Sequence, residues 1–546
     1  MKIITFQINP VVGDLPYNCK KIIDSIRQAK AQGAAVALFP ELALCGYPPE
    51  DLLLRADFID QMGIYLEQIV AETDGIMAVF GMARRGKGEK GLYNSAAVVA
   101  DRQVLGFHDK ILLPTYDIFD ERRYFDSGEK VQIWKWRDKR FGVLICEDIW
   151  QHAHQVDETR YARDPVVEME LLQPDLLLNL SASPYYLDKE PLRARVVSKT
   201  AKTLNCPVVF CAQVGANDQL IFDGYSMVFN RHGELAQLAD GFVEDGLTTV
   251  LGEKLLPLRI EPLHLRKEHD LYKALVMGTR DYFHKLGFKK AVIGLSGGID
   301  SALVAAIATE ALGSENVVGI TMPSPFSSEG SISDSVQLAK NLGIVCKQLP
   351  IDAIFASYLT ALEPHFTGKQ ADITEENIQA RIRGMLLMAF CNKFGYLLLC
   401  TSNKSEMAVG YSTLYGDMCG ALAPIGDLLK GQVYLLARFI NQNREIIPLS
   451  TLKKPPSAEL RPGQLDSDSL PDYETLDSAI HGLIVEQLST QEVANKYAIS
   501  EEIVRKISSM IQRAEYKRKQ AAPSLRVSPR SFTAGRRHPI VERGQG

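Results

Sequence analysis

The chain has 546 residues, of which 46% are hydrophobic and 23% charged, and its net charge is −5. This composition excludes a disordered chain and argues against a general nucleic-acid binder. Because a single hydrophobic core rarely serves so many residues, we predict two domains, which we place at residues 1–262 and 263–546.

The cysteines and the apolar runs of the sequence indicate where in the cell the protein is expected. Nine cysteines occur without a C-x-x-C pair or a histidine cluster at ligand spacing, which predicts reduced thiols and no structural zinc. No apolar run approaches the roughly 18 residues that a membrane span requires. We therefore expect a cytoplasmic protein with neither a membrane nor a nucleic acid as partner.

Short β-rich runs recur in the first half. They are KIITFQI, AVALFPEL, GIMAVFGMA, NSAAVVAD, FGVLICED, DLLLNLSAS, CPVVFCAQV and YSMVFN. Helical patterns such as residues 17–31 lie between them, so this half predicts an α/β sandwich in which sheets are layered with helices. Each run ends abruptly in polar residues, and the ends of strands in such folds are where ligands and catalytic groups collect.

The second half repeats a strictly alternating pattern after a predicted linker at residues 251–270. Its strand patterns are AVIGLS, NVVGITMP, VCKQLPI and YLLLCTS, separated by helical patterns at 301–312, 331–342 and 376–394. Buried strands separated by helices predict a doubly wound parallel sheet.

A strand pattern, a Gly-Gly turn and a helical pattern follow one another in residues 291–313, AVIGLSGGIDSALVAAIATEALG. Backbone N–H groups at such a helix start face an anion, and the glycines let phosphate oxygens approach. The lysine of a Walker loop is absent, which favours pyrophosphate leaving as one unit. Asp300 would repel phosphates unless Mg²⁺ lay between them. The loop therefore predicts a magnesium site, and a tight turn in which Asp300 only caps the helix is the alternative.

LSGGIDSA resembles the pyrophosphate loop of the ATP-pyrophosphatase family. Members of that family cleave ATP between its α and β phosphates to adenylate a carboxylate or a carbonyl oxygen. A nitrogen or sulfur nucleophile then displaces AMP.

Three residues of the first half end apolar runs: Glu41, Lys110 and Cys146. Two acidic residues follow Cys146 at once, so its thiol is placed for nucleophilic attack rather than for packing. Amide hydrolysis needs a thiolate, a base that shuttles its proton, and a positive group near the forming oxyanion. Together the three residues resemble the Glu-Lys-Cys triad of the nitrilase superfamily, in that family's order. Glu121 is a candidate second carboxylate.

The order of motifs GYPPEDLLLR, LPTYDIFDERRYF, CEDIW, LSGGIDS, TSNKSE and LRVSPRSF closely resembles that of the glutamine-dependent NAD⁺ synthetases. The resemblance covers nearly the whole chain. It implies a nitrilase-like glutaminase domain fused to an ATP-pyrophosphatase-type synthetase domain. It also implies that deamido-NAD⁺, ATP and glutamine are substrates, and that the protein is a homo-oligomer joined through the synthetase domains. Because protonated ammonia is not nucleophilic, we expect an enclosed route for it.

The resemblance carries over to individual positions. The triad would comprise the nucleophile Cys146, the base Glu41 and the oxyanion-stabilising Lys110, and glutamine would contact Tyr116, Ser183 and Lys189. ATP would contact Leu295, Ser296, Gly297, Gly298, Ile299, Asp300, Ser301, Ala302, Thr401, Lys430 and Ser457. Deamido-NAD⁺ would contact Asn377, Arg381, Glu406 and Lys517, and the ligands of Mg²⁺ would be Asp300 and Glu406.

Three features leave alternatives open. Ammonia-only synthetases carry T-D-H-A-A-E where this chain has TSNKSE, and a lysine where it has Leu414, so the substrate contacts around residues 403–418 stay open and Leu414 is assigned none. Residues 513–543 contain nine Lys or Arg, which form either a solvated tail or a surface for anionic substrates. Residues 452–474 form either a mobile cover for the synthetase site or a plain surface loop.

Rival functions are distinguished by the same motifs. Other glutamine amidotransferases with this ATP chemistry use an N-terminal cysteine or a Cys-His-Glu glutaminase, and the predicted triad fits neither. An RNA-thiolating relative would need paired redox cysteines or a broad basic surface. A non-catalytic interaction protein would have no reason to keep charged groups at so many strand ends.

Overall fold

The computed structural model describes residues 1–153, 161–252, 255–258 and 267–542. Two compact units divide the chain, Met1–Asp270 and Leu271–Gly546. The boundary predicted between residues 262 and 263 lies outside the described residues, as does Arg543 of the basic C-terminal run. Of the predicted linker, residues 267–270 are helical, so the linker prediction extended too far along the chain.

The first unit is built on two six-stranded sheets. Its strands are β1 (Lys2–Gln7), β2 (Val36–Leu38), β3 (Met77–Arg85), β4 (Leu92–Ala100), β5 (Gln103–Asp109), β6 (Ile133–Trp136), β7 (Lys139–Ile145), β8 (Leu176–Ser181), β9 (Val208–Ala212), β10 (Val214–Asn217), β11 (Leu220–Asp223), β12 (Met227–Phe229), β13 (Leu235–Leu238) and β14 (Asp245–Val250). The sheet orders are β14-β1-β2-β3-β4-β5 and β13-β12-β9-β8-β7-β6, with a separate β10-β11 hairpin. Each sheet has a parallel centre, β1-β2-β3 or β7-β8-β9, flanked by antiparallel strands.

The two sheets pack face to face. Val36 and Val79 of one sheet and Val143 and Leu178 of the other belong to the same fully buried cluster. The helices of this unit are α1 (Leu15–Ala31), α2 (Ala56–Ala71), α3 (Trp150–Ala153), α4 (Pro165–Glu170) and α5 (Lys189–Leu204). Because α1 and α2 pack on the first sheet and α3–α5 on the second, the layered α/β sandwich that the sequence predicted is confirmed.

The second unit contains one parallel sheet of β15 (Ala291–Gly294), β16 (Val317–Thr321), β17 (Val345–Gln348) and β18 (Leu397–Leu399), in the order β17-β16-β15-β18. The doubly wound prediction is confirmed. The chain reverses direction across the sheet between β15 and β18, and ligands of such folds bind at this kind of switch point.

Helices surround this sheet and continue to the C-terminus. They are α6 (Lys267–Leu286), α7 (Ile299–Leu312), α8 (Glu329–Leu342), α9 (Asp352–Leu362), α10 (Ile373–Phe394), α11 (Lys404–Val409), α12 (Lys430–Ile440), α13 (Leu449–Lys453), α14 (Tyr473–Ile480), α15 (Thr490–Tyr497), α16 (Glu501–Arg513) and α17 (Glu515–Arg518). Short 3₁₀ turns and one π turn, His481–Val485, connect several of them. In the parts of the chain that the structure describes, none of these helices is long and apolar enough to cross a bilayer.

Gly81 of β3 lies directly against the turn that carries Glu41. A Cβ at Gly81 would lie 2.0 Å from the backbone N of Leu42 and 2.6 Å from the carbonyl carbon of Glu41. We expect Gly81→Ala to lower the free energy of unfolding of this unit by about 1–3 kcal/mol, because backbone atoms must move to accept the methyl group.

All three tryptophans of the chain lie in the first unit, so urea titration followed by tryptophan fluorescence measures this effect. Gly63 in α2 is the matched control, since nothing lies within 4 Å of its Cβ position. Gly63→Ala should leave the midpoint unchanged or raise stability by up to about 1 kcal/mol. Equal midpoints for the Gly81 variant and the parent protein would contradict the overlap.

Candidate active sites

In the first unit, Lys110 joins two predicted site carboxylates. Its Nζ donates to Oε1 of Glu41 at 2.7 Å and to Oε1 of Glu121 at 2.7 Å. Lys110 follows β5 directly and Glu41 follows β2, so both sit at strand ends. The side chains of Lys110 and Glu41 are each 1% exposed. An ion cluster so deeply buried is geometrically fixed, because either charge alone would be costly there.

The end of β8 connects this cluster to Cys146. Ser181 Oγ donates to Cys146 Sγ at 3.3 Å, and the backbone N of the next residue, Ala182, donates to Glu41 Oε2 at 3.0 Å. The structure therefore brings the nucleophile and base candidates to the same strand end. Ser181 carried no sequence signal, because serine is common in loops after strands.

Cys146 begins a 3₁₀ turn, Cys146–Ile149, immediately after β7. Its φ is 39°, a left-handed conformation that is uncommon for a residue with a side chain and is found at functional turns. Burial raises the pKa of its thiol to about 12; the nearby Glu41 carboxylate adds to the increase and Lys110 opposes it. The thiol is therefore protonated at neutral pH, and attack requires a base.

Further polar groups hold the carboxylates. Asn94 Nδ2 donates to Glu41 Oε1 at 2.8 Å, and the Tyr47 hydroxyl donates to Glu121 Oε1 at 2.9 Å. Burial raises the pKa of Glu121 to about 7, against the pull of Lys110. Burial would lower the pKa of Lys110, but Glu121 and Glu41 outweigh it and hold that pKa well above its usual range. Lys110 is thus charged at neutral pH.

The predicted glutamine contacts lie around a buried acid, Glu147. The Tyr116 hydroxyl donates to both of its carboxylate oxygens at 3.1–3.2 Å, and the Tyr161 hydroxyl donates to Oε1 at 3.1 Å. Burial raises the pKa of Glu147, while Lys110, these hydroxyls and Lys189 lower it. The Lys189 ammonium also lies over the rings of Trp150 and Tyr186.

Ser183, the remaining predicted glutamine contact, is buried two residues after Ser181. The cluster therefore presents a buried carboxylate and a cation close to the thiol, which suits a small zwitterionic ligand. Glu147 was singled out in sequence only as a neighbour of Cys146.

In the second unit a cavity of about 290 Å³ opens at the end of β15. Predicted ATP contacts that line it are Leu295, Ser296, Gly298, Ile299, Asp300, Ser301, Thr401, Lys430 and Ser457. Gly297 lies behind the lining with φ 77°, and its Cβ position is 2.3 Å from the carbonyl oxygen of Ser331. Ala302 is buried within α7. The cavity thus contains most of the loop, and glycine is required at 297 because backbone packs against it.

Asp300 and Glu406 share one cation. Lys430 Nζ donates to Asp300 Oδ2 at 2.5 Å and to Glu406 Oε1 at 3.1 Å, while Asn403 Nδ2 donates to Asp300 Oδ1 at 2.9 Å. Burial raises the pKa of Glu406 to about 7, with Lys430 opposing and Asp300 contributing. Burial would lower the pKa of Lys430, but the two carboxylates raise it. Asp300 therefore does more than cap α7.

Two further cations that sequence reasoning missed, Arg383 and Lys454, line this cavity. Arg383 Nε donates to the carbonyl oxygen of Met322 at 3.0 Å, and among the described residues no carboxylate lies within ion-pair distance of its guanidinium. Burial lowers its pKa to about 10. Arg383 lies two positions after the predicted Arg381 on α10, and only the fold shows which of the two faces the cavity.

The predicted deamido-NAD⁺ contacts fall into two places. Glu406 lines the cavity, whereas three others contact the segment at residues 410–414. Asn377 Oδ1 accepts from Thr413 Oγ1 at 2.7 Å, Arg381 Nε donates to Leu414 O at 3.1 Å, and Lys517 Nζ donates to Ser412 O at 2.6 Å. Three predicted deamido-NAD⁺ contacts therefore lie against the segment whose own substrate contacts the sequence left open.

Residues 452–474 lie partly over the cavity. Glu459 accepts from the hydroxyls of Ser328 and Ser331 at 2.8 and 2.7 Å, and Gln379 Nε2 donates to Leu460 O at 2.9 Å. Because residues 454–460 line the cavity, this part of the segment forms one of its walls.

The basic C-terminal run is partly structural. Arg518 and Arg526 are buried, and Arg518 donates to carbonyl oxygens of Met407, Ala408 and Ile511 and to Glu515. Arg536 also pairs with Glu515 at 2.6 Å. These arginines act as internal donors, so neither a solvated tail nor a substrate surface describes the whole run.

The raised pKa of Cys146 makes its alkylation strongly pH-dependent. Because the thiolate is the reactive form, we expect the rate at which iodoacetamide modifies Cys146 to rise about tenfold per pH unit from pH 7 to 9.5. Peptide mass spectrometry on Cys146 measures this rate. Glutathione is the control, and its alkylation rate should level off as the pH passes the pKa of its thiol, about 8.5–9. A plateau for Cys146 below pH 9 would contradict the assignment.

Both units match known families. The carbon–nitrogen hydrolase family model matches residues 3–251 and the NAD synthase family model matches residues 271–521. The chain is 46% identical over 547 residues to the glutamine-dependent NAD(+) synthetase of Synechocystis sp., covering 98% of each chain. It is 43% identical over 583 residues to that of Thermotoga maritima, covering 100% of this chain and 99% of the relative.

A solved structure agrees with these relatives. The glutamine-dependent NAD+ synthetase from Acinetobacter baumannii in complex with ADP matches with a TM-score of 0.78 at 39% identity, covering 99% of this chain and 98% of that chain. Sequence identity of this size over nearly the full length of both chains shows the family of this chain. This chain belongs to the glutamine-dependent NAD(+) synthetase family.

Proposed function

We propose that this enzyme converts deamido-NAD⁺, ATP, glutamine and water into NAD⁺, AMP, pyrophosphate and glutamate. Residues 1–262 release ammonia from glutamine, and residues 263–546 add it to an adenylated carboxylate. The observation that carries the proposal is the pair of lysine-centred clusters, one beside a thiol and one beside a Gly-Gly loop. Each cluster suits one half of the reaction.

Glutamine hydrolysis follows from the first cluster. Cys146 Sγ attacks the amide carbonyl carbon while Glu41 takes the thiol proton, and Lys110 stabilises the negative oxygen of the tetrahedral intermediate. Glu41 returns the proton to the leaving ammonia, and water then hydrolyses the thioester to glutamate. The high pKa of Cys146 makes this carboxylate base necessary.

Glutamine recognition uses the groups around the thiol. Lys189 suits the α-carboxylate of the substrate, and its position over two aromatic rings keeps the ammonium localised. Tyr116 and Ser183 supply hydroxyls for the remaining polar atoms. We assign these three residues to substrate binding rather than to proton transfer.

NAD⁺ formation follows from the second cluster. The carboxylate of deamido-NAD⁺ attacks the α-phosphorus of ATP, and pyrophosphate leaves toward the backbone N–H groups after β15. Ammonia then attacks the carbonyl carbon of the adenylate, and AMP leaves. The Thr401, Lys430 and Ser457 side chains are assigned to ATP, and Asn377, Arg381, Glu406 and Lys517 to deamido-NAD⁺.

Asp300 and Glu406 fit a magnesium site completed by substrate. Within the described ranges, no group of three or more acidic, histidine or cysteine side chains could hold a metal alone. Mg²⁺ is commonly bound by one or two carboxylates plus substrate phosphates, and the carboxylates of Asp300 and Glu406, which both contact Lys430 Nζ, line the cavity together. Bound there, Mg²⁺ would neutralise the phosphate charge that develops during adenylation.

Three further assignments rest on chemistry. Ammonia passes between the sites without release, because its protonated form in bulk water is not a nucleophile. All nine cysteines are free thiols, which supports a cytoplasmic location. Family resemblance supports a homo-oligomer joined through the synthetase domains. None of these assignments involves a nucleic acid or a membrane.

Separating the two half-reactions tests the proposal. Cys146→Ala should lower the glutamine-supported rate of NAD⁺ formation by at least about 10³-fold and leave the ammonium-supported rate unchanged, because only the first cluster loses its nucleophile. Asp300→Asn should lower both rates. HPLC measurement of NAD⁺ and AMP with each nitrogen source gives the result, and a cysteine variant that loses both rates or neither overturns the proposal.

The two arginines of α10 should separate the two nucleotide substrates. Arg383→Met should raise KM for ATP about tenfold or more without changing KM for deamido-NAD⁺, because it removes a charge-assisted donor from the cavity. Arg381→Met serves as its partner variant and should show the reverse. Ammonium-supported steady-state kinetics measures both constants, and the same KM pattern in the two variants would contradict the assignment.

A further inference from the structure

The Asp148 carboxylate lies where two catalytic segments of the first unit meet. Its Oδ2 accepts from the backbone N of Ile145 at 3.0 Å and faces His108 Nε2 at 3.1 Å. Its Oδ1 accepts from the backbone N of Ile111 and of Leu112, each at 2.9 Å. One carboxylate thus bridges the turn after β7 and the segment after β5.

These bonded atoms are sequence neighbours of the catalytic groups. Ile145 directly precedes Cys146, and Ile111 directly follows Lys110. Each oxygen of Asp148 therefore holds the backbone within one residue of a group that acts on glutamine. No other side chain among the described residues accepts hydrogen bonds from the backbone of both segments.

Burial makes this carboxylate rigid. Asp148 and His108 are both 0% exposed, and no Lys or Arg in the described residues forms an ion pair with Asp148. A buried carboxylate without a Lys or Arg partner is tolerated only when its lone pairs are hydrogen-bonded, and here three backbone N–H groups and the His108 ring surround it. His108 Nδ1 has no partner, so the imidazole makes its hydrogen bond to this acid through Nε2. The ring also packs edge-on against Trp134, with the ring centroids 6.5 Å apart.

We propose that Asp148 is a positioning residue for glutamine hydrolysis, which fixes the thiol of Cys146 against the ammonium of Lys110. This inference rests on the proposed function. Cys146 is held at φ 39°, a conformation that persists only when its surroundings impose it. Without the bridge, the turn and the Lys110 segment relax independently, and a misplacement of about 1 Å can cost on the order of 10²-fold in rate.

Asp148→Asn cuts the bridge with little change of volume. An amide has one acceptor oxygen and one NH₂ group, whereas the two pairs of donors require an acceptor on each side. Whichever way the amide turns, its NH₂ group faces backbone N–H of one segment. The Asp148→Asn variant can therefore hold the Cys146 turn or the Lys110 segment, but not both.

Asp175→Asn is the matched control. Asp175 Oδ2 accepts from the backbone N of Arg140 at 2.8 Å, near the start of the β7 strand that ends at Cys146. Both substitutions change a carboxylate that accepts from the backbone N–H of a β7 residue, but the exposed Asp175 does so near the start of the strand, away from the catalytic turn. It should leave all measured constants as in the parent protein.

For Asp148→Asn we expect kcat for glutamine hydrolysis to fall about 10- to 100-fold. KM for glutamine should stay within about twofold, because the binding groups are untouched. The rate of Cys146 alkylation should change as well, whereas ammonium-supported NAD⁺ formation should not. A purely structural role would lower the melting temperature without this split between kcat and KM.

Unchanged kcat with a folded variant, or a rise in KM with kcat preserved, would overturn the proposal. If Asp148→Asn fails to fold, His108→Leu removes one donor and His108→Gln restores a donor. We then expect a lower kcat for the Leu variant, recovered in the Gln variant, and equal kcat values would overturn the proposal. Failure of the proposed function is separately visible, as retention of glutamine-supported activity by Cys146→Ala.

Discussion

Each unit of this enzyme depends on a buried lysine shared by two carboxylates. Lys110 donates to Glu41 and Glu121 at 2.7 Å, and Lys430 donates to Asp300 and Glu406 at 2.5 and 3.1 Å. Removing one partner of a buried ion pair typically costs about 3–5 kcal/mol, because the remaining charge is left uncompensated. These clusters therefore constrain the chain around them, and the ends of strands are where a sheet can hold such groups without exposing its core.

The same arrangement serves different chemistry because its surroundings differ. Beside Cys146, whose thiol has a pKa of about 12, the proposed hydrolysis assigns one carboxylate to accept the thiol proton while the ammonium remains charged. Beside the Gly-Gly loop, the carboxylates face a cavity, into which the proposed synthesis would bring phosphate oxygens and Mg²⁺. In each cluster burial raises the pKa of one acid, Glu121 or Glu406, to about 7. In both clusters the two carboxylates raise the pKa of the lysine, so the lysine keeps its charge.

Much of the fold could be predicted from sequence, since buried strands such as β7 and β15 are continuous apolar runs that end in polar residues. Strands with half-exposed residues, such as β13, gave no such pattern. The motifs predicted single positions, but Ser181, Asn94 and Asp148 obtain their roles from neighbours 35 to 53 residues away in the chain. Periodicity cannot distinguish a cavity-facing arginine from the one two positions earlier on α10. Basic residues near the C-terminus likewise look alike in sequence whether they bind carbonyl oxygens internally or face solvent.

The central claim is that each lysine-centred cluster governs one half-reaction. Replacing Lys110 or Lys430 by Met leaves two carboxylates without their shared cation in each case. The most direct measurement is the rate of glutamine hydrolysis and of ammonium-supported NAD⁺ formation for both variants. The account predicts that Lys110→Met loses only hydrolysis and Lys430→Met loses only ammonium-supported synthesis. Loss of both rates in both folded variants, or loss of the opposite rate in either, would contradict it.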